Sequence, residues 1–209
     1  KQRTKVFTKD DPKKILSPEA PFVVKEAYSA IRTNLLFTQK GEKCPVFVVT
    51  SPTANNGKTI NSINLAVSFA QMGKRTLLID SDMRNPTIHR MFSIPVKNGL
   101  SEILAGLTDN ITVSKTDVEK LSVLTGGKIP PNPAEILGSE PMAEFLKEIS
   151  NDFDYIIIDT PPINVVSDAL PIIRESDGVV LVVRSNQSTH PDIQRTVSAL
   201  EFIDAKILG

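Results

Sequence analysis

Apolar runs alternating with helix-periodic segments predict an α/β fold, a mostly parallel β-sheet covered by helices on both faces. Three observations carry that expectation. Val46-Phe47-Val48-Val49-Thr50, Arg75 to Asp80 and Tyr155 to Asp159 are continuous apolar runs, as in strands buried on both sides. Helix-like spacing fills the stretches between them. Each run also ends in polar residues, at the strand end where such sheets bind ligands.

The elements follow in order. Ser17-Pro18-Glu19 leads into a helix with Val24, Ala27, Tyr28, Ile31 and Leu35 on one face, ended by Gly41. The strand from Val46 follows, then a helix from about Lys58 to Met72 that buries Ile60, Ile63, Val67 and Ala70 and stops at Gly73. The Leu77 to Asp80 strand comes next, with a short helix over Leu100 to Leu104 after Gly99. Leu121 to Thr125 reads as a strand closed by Gly126-Gly127, and Ile129 to Pro133 as a stiff extended loop. Ser139 is placed to cap a helix carrying Met142, Phe145, Leu146 and Ile149. Tyr155 to Asp159, Gly178 to Val183 and Lys206 to Leu208 complete the strands.

The chain has 209 residues, 24 basic and 24 acidic, with 40% apolar residues, enough for one two-sided α/β domain. Zero net charge argues against a general nucleic-acid binder. The single cysteine, Cys44, excludes an internal disulfide framework and reads as structural. His89 and His190 have no metal-binding spacing and read as structural or exposed. No stretch is long enough to span a bilayer. Residues 1–16 form a basic segment: Lys1, Arg3, Lys5, Lys9, Lys13 and Lys14 face only Asp10 and Asp11. It is either a solvated linker or a juxtamembrane stretch near anionic lipid. The opening on lysine, and an end inside an apparent strand, lead us to expect a piece of a longer chain lacking a C-terminal tail.

Ser51-Pro52-Thr53-Ala54-Asn55-Asn56-Gly57-Lys58-Thr59 carries the chemistry. A strand, a tight turn and Gly-Lys-Thr at a helix start direct backbone N–H groups at a phosphate. Thr53, Ala54, Asn55, Asn56, Gly57, Lys58, Thr59 and Ile60 are therefore the candidate nucleotide-binding residues. Lys58 supplies a cation and Thr59 a hydroxyl for magnesium. The pattern GxxxxGK[ST] has Pro52 where it asks for its first glycine, and Asn55 and Asn56 where glycines are frequent; asparagine tolerates positive φ. Asp80 and Asp82, spaced i, i+2, and Asp159 end two strands. Three acids converging on Lys58 and Thr59 would make a magnesium–nucleotide site.

The phosphate loop, Leu78-Ile79-Asp80-Ser81-Asp82-Met83-Arg84-Asn85-Pro86, Pro131-Asn132-Pro133-Ala134-Glu135-Ile136-Leu137 and Asp159-Thr160-Pro161-Pro162 together resemble the bacterial tyrosine kinases of capsule and exopolysaccharide synthesis. The resemblance runs from about Ser17 to Gly209. It implies a P-loop NTPase fold over 17–209 working as an ATP- and magnesium-dependent protein-tyrosine kinase that autophosphorylates. Lys58 would neutralise the β- and γ-phosphates, and Thr59 would ligate magnesium. Of Asp80 and Asp82, one would hold the metal and the other accept the tyrosine proton. Asp159 would support the metal from its strand. Arg84 and Arg184 are either phosphate or base contacts or exposed structural arginines.

The resemblance further implies a transmembrane activator or polysaccharide co-polymerase partner and a place at the inner face of the cell membrane. Self-association through a Glu-x-x-Arg-x-x-Arg helix is also implied. Here that motif reads Glu26, Ser29 and Arg32, without the middle arginine. Relatives carry a C-terminal tyrosine cluster, whereas this sequence has only Tyr28 and Tyr155. Two alternatives stand beside the kinase. One is a partition- or division-type ATPase, whose extra loop lysine is replaced by Thr53. The other is a nucleotide-binding scaffold of polysaccharide export with little kinase activity.

Overall fold

The computed structural model describes residues 12–38, 41, 43–108 and 110–209; of the basic segment expected over 1–16, residues 1–11 lie outside them and Pro12–Lys14 form a short 3-10 helix. Along the chain run α1 (Phe22–Thr38), β1 (Val46–Thr50), α2 (Lys58–Ala70), β2 (Thr76–Asp80), α3 (Ile88–Met91) and α4 (Leu100–Leu104). There follow β3 (Ser114–Lys115), β4 (Leu121–Leu124), α5 (Pro133–Leu137), α6 (Glu140–Ile149), β5 (Tyr155–Asp159), α7 (Ala169–Arg174), β6 (Gly178–Leu181) and α8 (His190–Phe202).

The strands form one six-stranded sheet in the order β3-β4-β2-β5-β1-β6. All pairings are parallel except β3 with β4. Every residue of β1 and β2 is buried. Alternation splits them between two cores. Val46, Val48, Leu77, Ile79, Ile156 and Ile158 pack with Leu100, Met142, Phe145, Ile172 and Leu200. Phe47, Val49, Leu78 and Ile157 pack with Ile63, Val67 and Phe69 of α2 and with Leu35 of α1. Phe69 stacks on Tyr155 with ring centroids 4.3 Å apart. Helices thus cover both faces, as the apolar runs require.

Several details depart from the sequence expectation. The helix expected around Val24, Ala27, Tyr28, Ile31 and Leu35 forms as α1, but of these five residues only Leu35 is buried. Helix α2 ends at Ala70 rather than Met72, and Gly73 then takes φ +77. Pro133 starts α5 instead of ending an extended loop, its fixed φ suiting a first helical turn. Ser139 holds the N-cap position of α6, yet its hydroxyl donates back to Ile136 O at 2.7 Å and caps nothing. Strand β6 stops at Leu181. Residues 206–209 run beside it, with Val179 N–H donating to Lys206 O and Leu208 N–H to Val179 O.

Close backbone approach shapes the exit from β4. A Cβ on Gly99 would collide with the backbone of Gly127, and one on Gly126 would lie 3.2 Å from Asp80 O and 3.3 Å from Pro86 Cβ. Both glycines therefore let the β4 exit lie against the segment that follows β2.

Candidate active site

Parallel order brings the ends of β1, β5 and β2 side by side. Val49 is in register with Asp159, and Asp159 with Asp80. The chain leaving β1 turns through 51–57, with Asn55 at φ 65 and Gly57 at φ +88, where it enters α2. Asn55 therefore takes the left-handed role expected of it. Asn56 does not; its buried side chain donates to Thr53 O at 3.0 Å and to Thr53 Oγ1 at 3.1 Å, tying the turn to itself.

At the first turn of α2, Lys58 Nζ lies 3.0 Å from Asp82 Oδ2 and 3.3 Å from Asp159 Oδ2, and its side chain is only 11% exposed. Thr59 Oγ1 donates to Asp159 Oδ2 at 2.8 Å, and Ser62 Oγ to Asp159 Oδ1 at 2.8 Å. Burial alone would lower the Lys58 pKa, but Asp159 and Asp82 outweigh it and hold the ammonium charged above its ordinary value. Asp159 is pushed upward by burial, against the pull of Lys58 and the Thr59 and Ser62 hydroxyls.

Asp80 is fully buried. Its Oδ2 accepts from Thr87 N and Ile88 N, each at 3.0 Å, while Oδ1 has no partner. Burial, reinforced by the Asp159 charge, raises its pKa to about 7 against the Ile88 N–H that favours the anion. Asp82 lies beyond the end of β2, in the loop, where Oδ1 accepts from Asn85 N at 3.2 Å. Lys58, Thr59, Asp82 and Asp159 meet as expected; Asp80 lies beside Asp159 in strand register, with its Oδ2 on the Thr87 and Ile88 amides.

The two arginines diverge. Arg84 is committed to Asp168 through a bidentate pair at 2.6 and 3.0 Å, which anchors the Asp82 loop to the start of α7. Arg184 lies at the phosphate loop, donating to Asn55 O at 3.3 Å; Gln187 Nε2 donates to Ala54 O at 3.1 Å and Ser188 Oγ to Asn56 Oδ1 at 3.1 Å. Thr53, Ala54 and Ile60 line the same loop and first helical turn, with Ile60 packed on the α2-side core.

Ser62, Asp168, Gln187 and Ser188 were not foreseen. Ser62 was findable, standing three residues after Thr59 on the same helix face. The other three act across long sequence separations and leave no local signal. His89 is half-buried and His190 exposed, and among the described residues no cluster of three or more His, Cys, Asp or Glu forms a metal cage. Cys44 is buried, which pushes its thiol to about 12. Among the described residues no helix is long and apolar enough to cross a membrane.

The AAA domain family model matches residues 52–207. The tyrosine-protein kinase YwqD of Bacillus subtilis (strain 168) is 40% identical over 185 residues, 88% of this chain and 78% of that protein. Among solved structures, the chimerical protein CapA2B2 superposes with TM-score 0.85 at 36% identity, over 92% of this chain and 84% of that one. The kinase domain of the Escherichia coli tyrosine kinase ETK gives TM-score 0.84 at 33% identity, over 88% and 73%.

Proposed function

The chain belongs to the bacterial tyrosine-protein kinase family, and from that premise we propose that it transfers the γ-phosphoryl group of ATP to a tyrosine hydroxyl. The observation that carries this reading is the meeting of Lys58 with Asp82 and Asp159 at 3.0 and 3.3 Å, at the mouth of a phosphate loop. Such a transfer depends on positioning and charge neutralisation more than on covalent chemistry. The loop amides of residues 53–60 would cradle the phosphates, with Lys58 moving from its carboxylates to the β- and γ-oxygens. Arg184, already at the loop, would border the nucleotide.

The donors suit magnesium. They are all oxygen, and Asp80 Oδ1 is a buried acceptor with no hydrogen-bond partner. Thr59, Asp80, Asp82 and Asp159 would hold the ion directly or through water. Magnesium is usually held by one or two carboxylates plus phosphate oxygens, so a complete protein cage is not required. When bound, it supplies charge neutralisation at the transferring phosphate. Asp80 and Asp82 would divide metal binding and acceptance of the tyrosine proton between them. Asp159 orients Lys58 and Thr59 through Oδ2, while Ser62 holds its Oδ1.

The same reading puts the protein at the inner face of the membrane, beside a transmembrane activator, in capsule or exopolysaccharide synthesis. Its support is the basic opening of the sequence and the family resemblance. Self-association would run over α1. Glu26 is exposed there, as are Phe22, Val23 and Phe37. Arg32 instead donates to Ser68 O at 2.7 Å within the chain, so it serves the fold as well as any contact between copies.

Radiolabelled ATP, incubated with the chain, an activator segment and a tyrosine-rich peptide, tests the proposal. Label is expected on tyrosine and is expected to vanish in Lys58→Met and Asp82→Asn. Phosphate released to solution with none on protein would replace the kinase by an ATPase.

A further inference from the structure

Helix α1 and the segment before it reach the phosphate loop through one hydroxyl. Tyr28 Oη donates to Asn61 Oδ1 at 2.9 Å and accepts from Asn64 Nδ2 at 3.2 Å. Asn61 Nδ2 donates in turn to Gly57 O at 3.0 Å, the carbonyl of the left-handed residue that turns the loop into α2. At the other end, Asn64 Oδ1 accepts from Leu16 N at 2.8 Å and Nδ2 donates to Lys14 O at 3.1 Å.

The polarity of this chain of bonds is dictated from both ends. A backbone N–H at Leu16 demands an oxygen, and a backbone carbonyl at Lys14 demands an N–H, so the Asn64 amide has one orientation. The Gly57 carbonyl likewise demands the nitrogen of Asn61, which leaves its oxygen facing α1. Between an N–H of Asn64 and the oxygen of Asn61, only a group that both accepts and donates completes the path. A hydroxyl does so, and a phenyl ring in the same place does not. Asn64 is 3% exposed, so its amide has little access to water as a substitute.

We propose that Tyr28 is a positioning residue for nucleotide binding: through Asn61 it fixes Gly57, and through Asn64 it ties the phosphate loop to the seat of residues 14–16. The inference rests on the nucleotide site proposed above. It adds that occupancy of the loop and order in the 14–16 segment are coupled, and such coupling is reciprocal.

Tyr28→Phe is the decisive variant, because it keeps the ring and removes only the hydroxyl. In the full chain it is expected to weaken Mg-ADP binding about three- to tenfold, the range for one lost hydrogen bond. KM for ATP should rise by a larger factor than kcat falls. In the wild type, Mg-ADP is expected to slow hydrogen exchange at Leu16 N–H, and this effect should disappear in Tyr28→Phe. Asn61→Ala should weaken ADP similarly, and the double variant should be no weaker than Asn61→Ala alone. Wild-type ADP affinity in Tyr28→Phe, or effects of the two substitutions that simply multiply, would overturn the relay while leaving the nucleotide site standing. Failure of the wild type itself to bind Mg-ADP would overturn the site, and the relay with it.

Discussion

Helices α1 and α2 lie against each other and relate to the core in opposite ways. Of the 13 residues of α2, nine in succession from Ser62 to Ala70 are buried. Of the 17 residues of α1, Leu35 is buried while Phe22, Val23 and Phe37 are 72, 77 and 82% exposed. Apolar burial against the sheet therefore holds α2, which carries Lys58 and Thr59. Leu35 and side-chain hydrogen bonds from Tyr28 and Arg32 hold α1. An apolar helical period shows that a face is to be covered. It does not say by what.

The contrast is broken most severely on the α2 side. Phe69→Ala removes a ring at 0% exposure that stacks on Phe47 and Tyr155, and should cost about 3–5 kcal/mol in a denaturant melt. The same side holds the pH sensitivity. Burial and the Asp159 charge raise the Asp80 pKa in the folded chain to about 7, from an ordinary 3.8. Between those values the unfolded chain binds fewer protons, so stability should decline as pH rises through the window and level off above it. Asp80→Asn, which keeps an acceptor for Thr87 and Ile88, should flatten that profile.

Ser62→Ala deprives Asp159 Oδ1 of its donor and should cost about 1–3 kcal/mol, with weaker Mg-ADP binding measured by titration. Across the helix pair, Arg32→Ala loses its bonds to Ser68 and should cost about 1 kcal/mol. The smallest effect belongs to the outer face of α1. Phe22→Ser with Val23→Ser should shift stability by no more than about 0.5 kcal/mol, and sedimentation should show weaker self-association. A melt in which this pair cost as much as Phe69→Ala would erase the distinction between the two helices.

The strand runs and the acids that end them were legible in the sequence, because a parallel sheet buried on both faces leaves little freedom in residue type. The phosphate loop was legible from Gly57-Lys58-Thr59 following a strand, with Asn55 at positive φ as expected. The helical period of α1 was legible, but not how little of its apolar surface is covered among the described residues. Ser139 donates to Ile136 O and accepts from none of the amides it was expected to cap. The antiparallel β3 is only two residues long, too short to show a period. Arg84 could not be paired with Asp168 in advance, since 84 residues separate them and only the fold brings them together.

Strand β5 lies between β1 and β2, though it is made after both. Among the described residues, strand β1 pairs only with β5 and β6, and β2 only with β4 and β5. A nascent chain that has left the ribosome through Leu124 thus holds the phosphate loop and the paired aspartates without the piece that joins them. Until Tyr155 to Asp159 emerges, the first strand has no neighbour, and an unfinished polypeptide cannot assemble the cluster around Lys58.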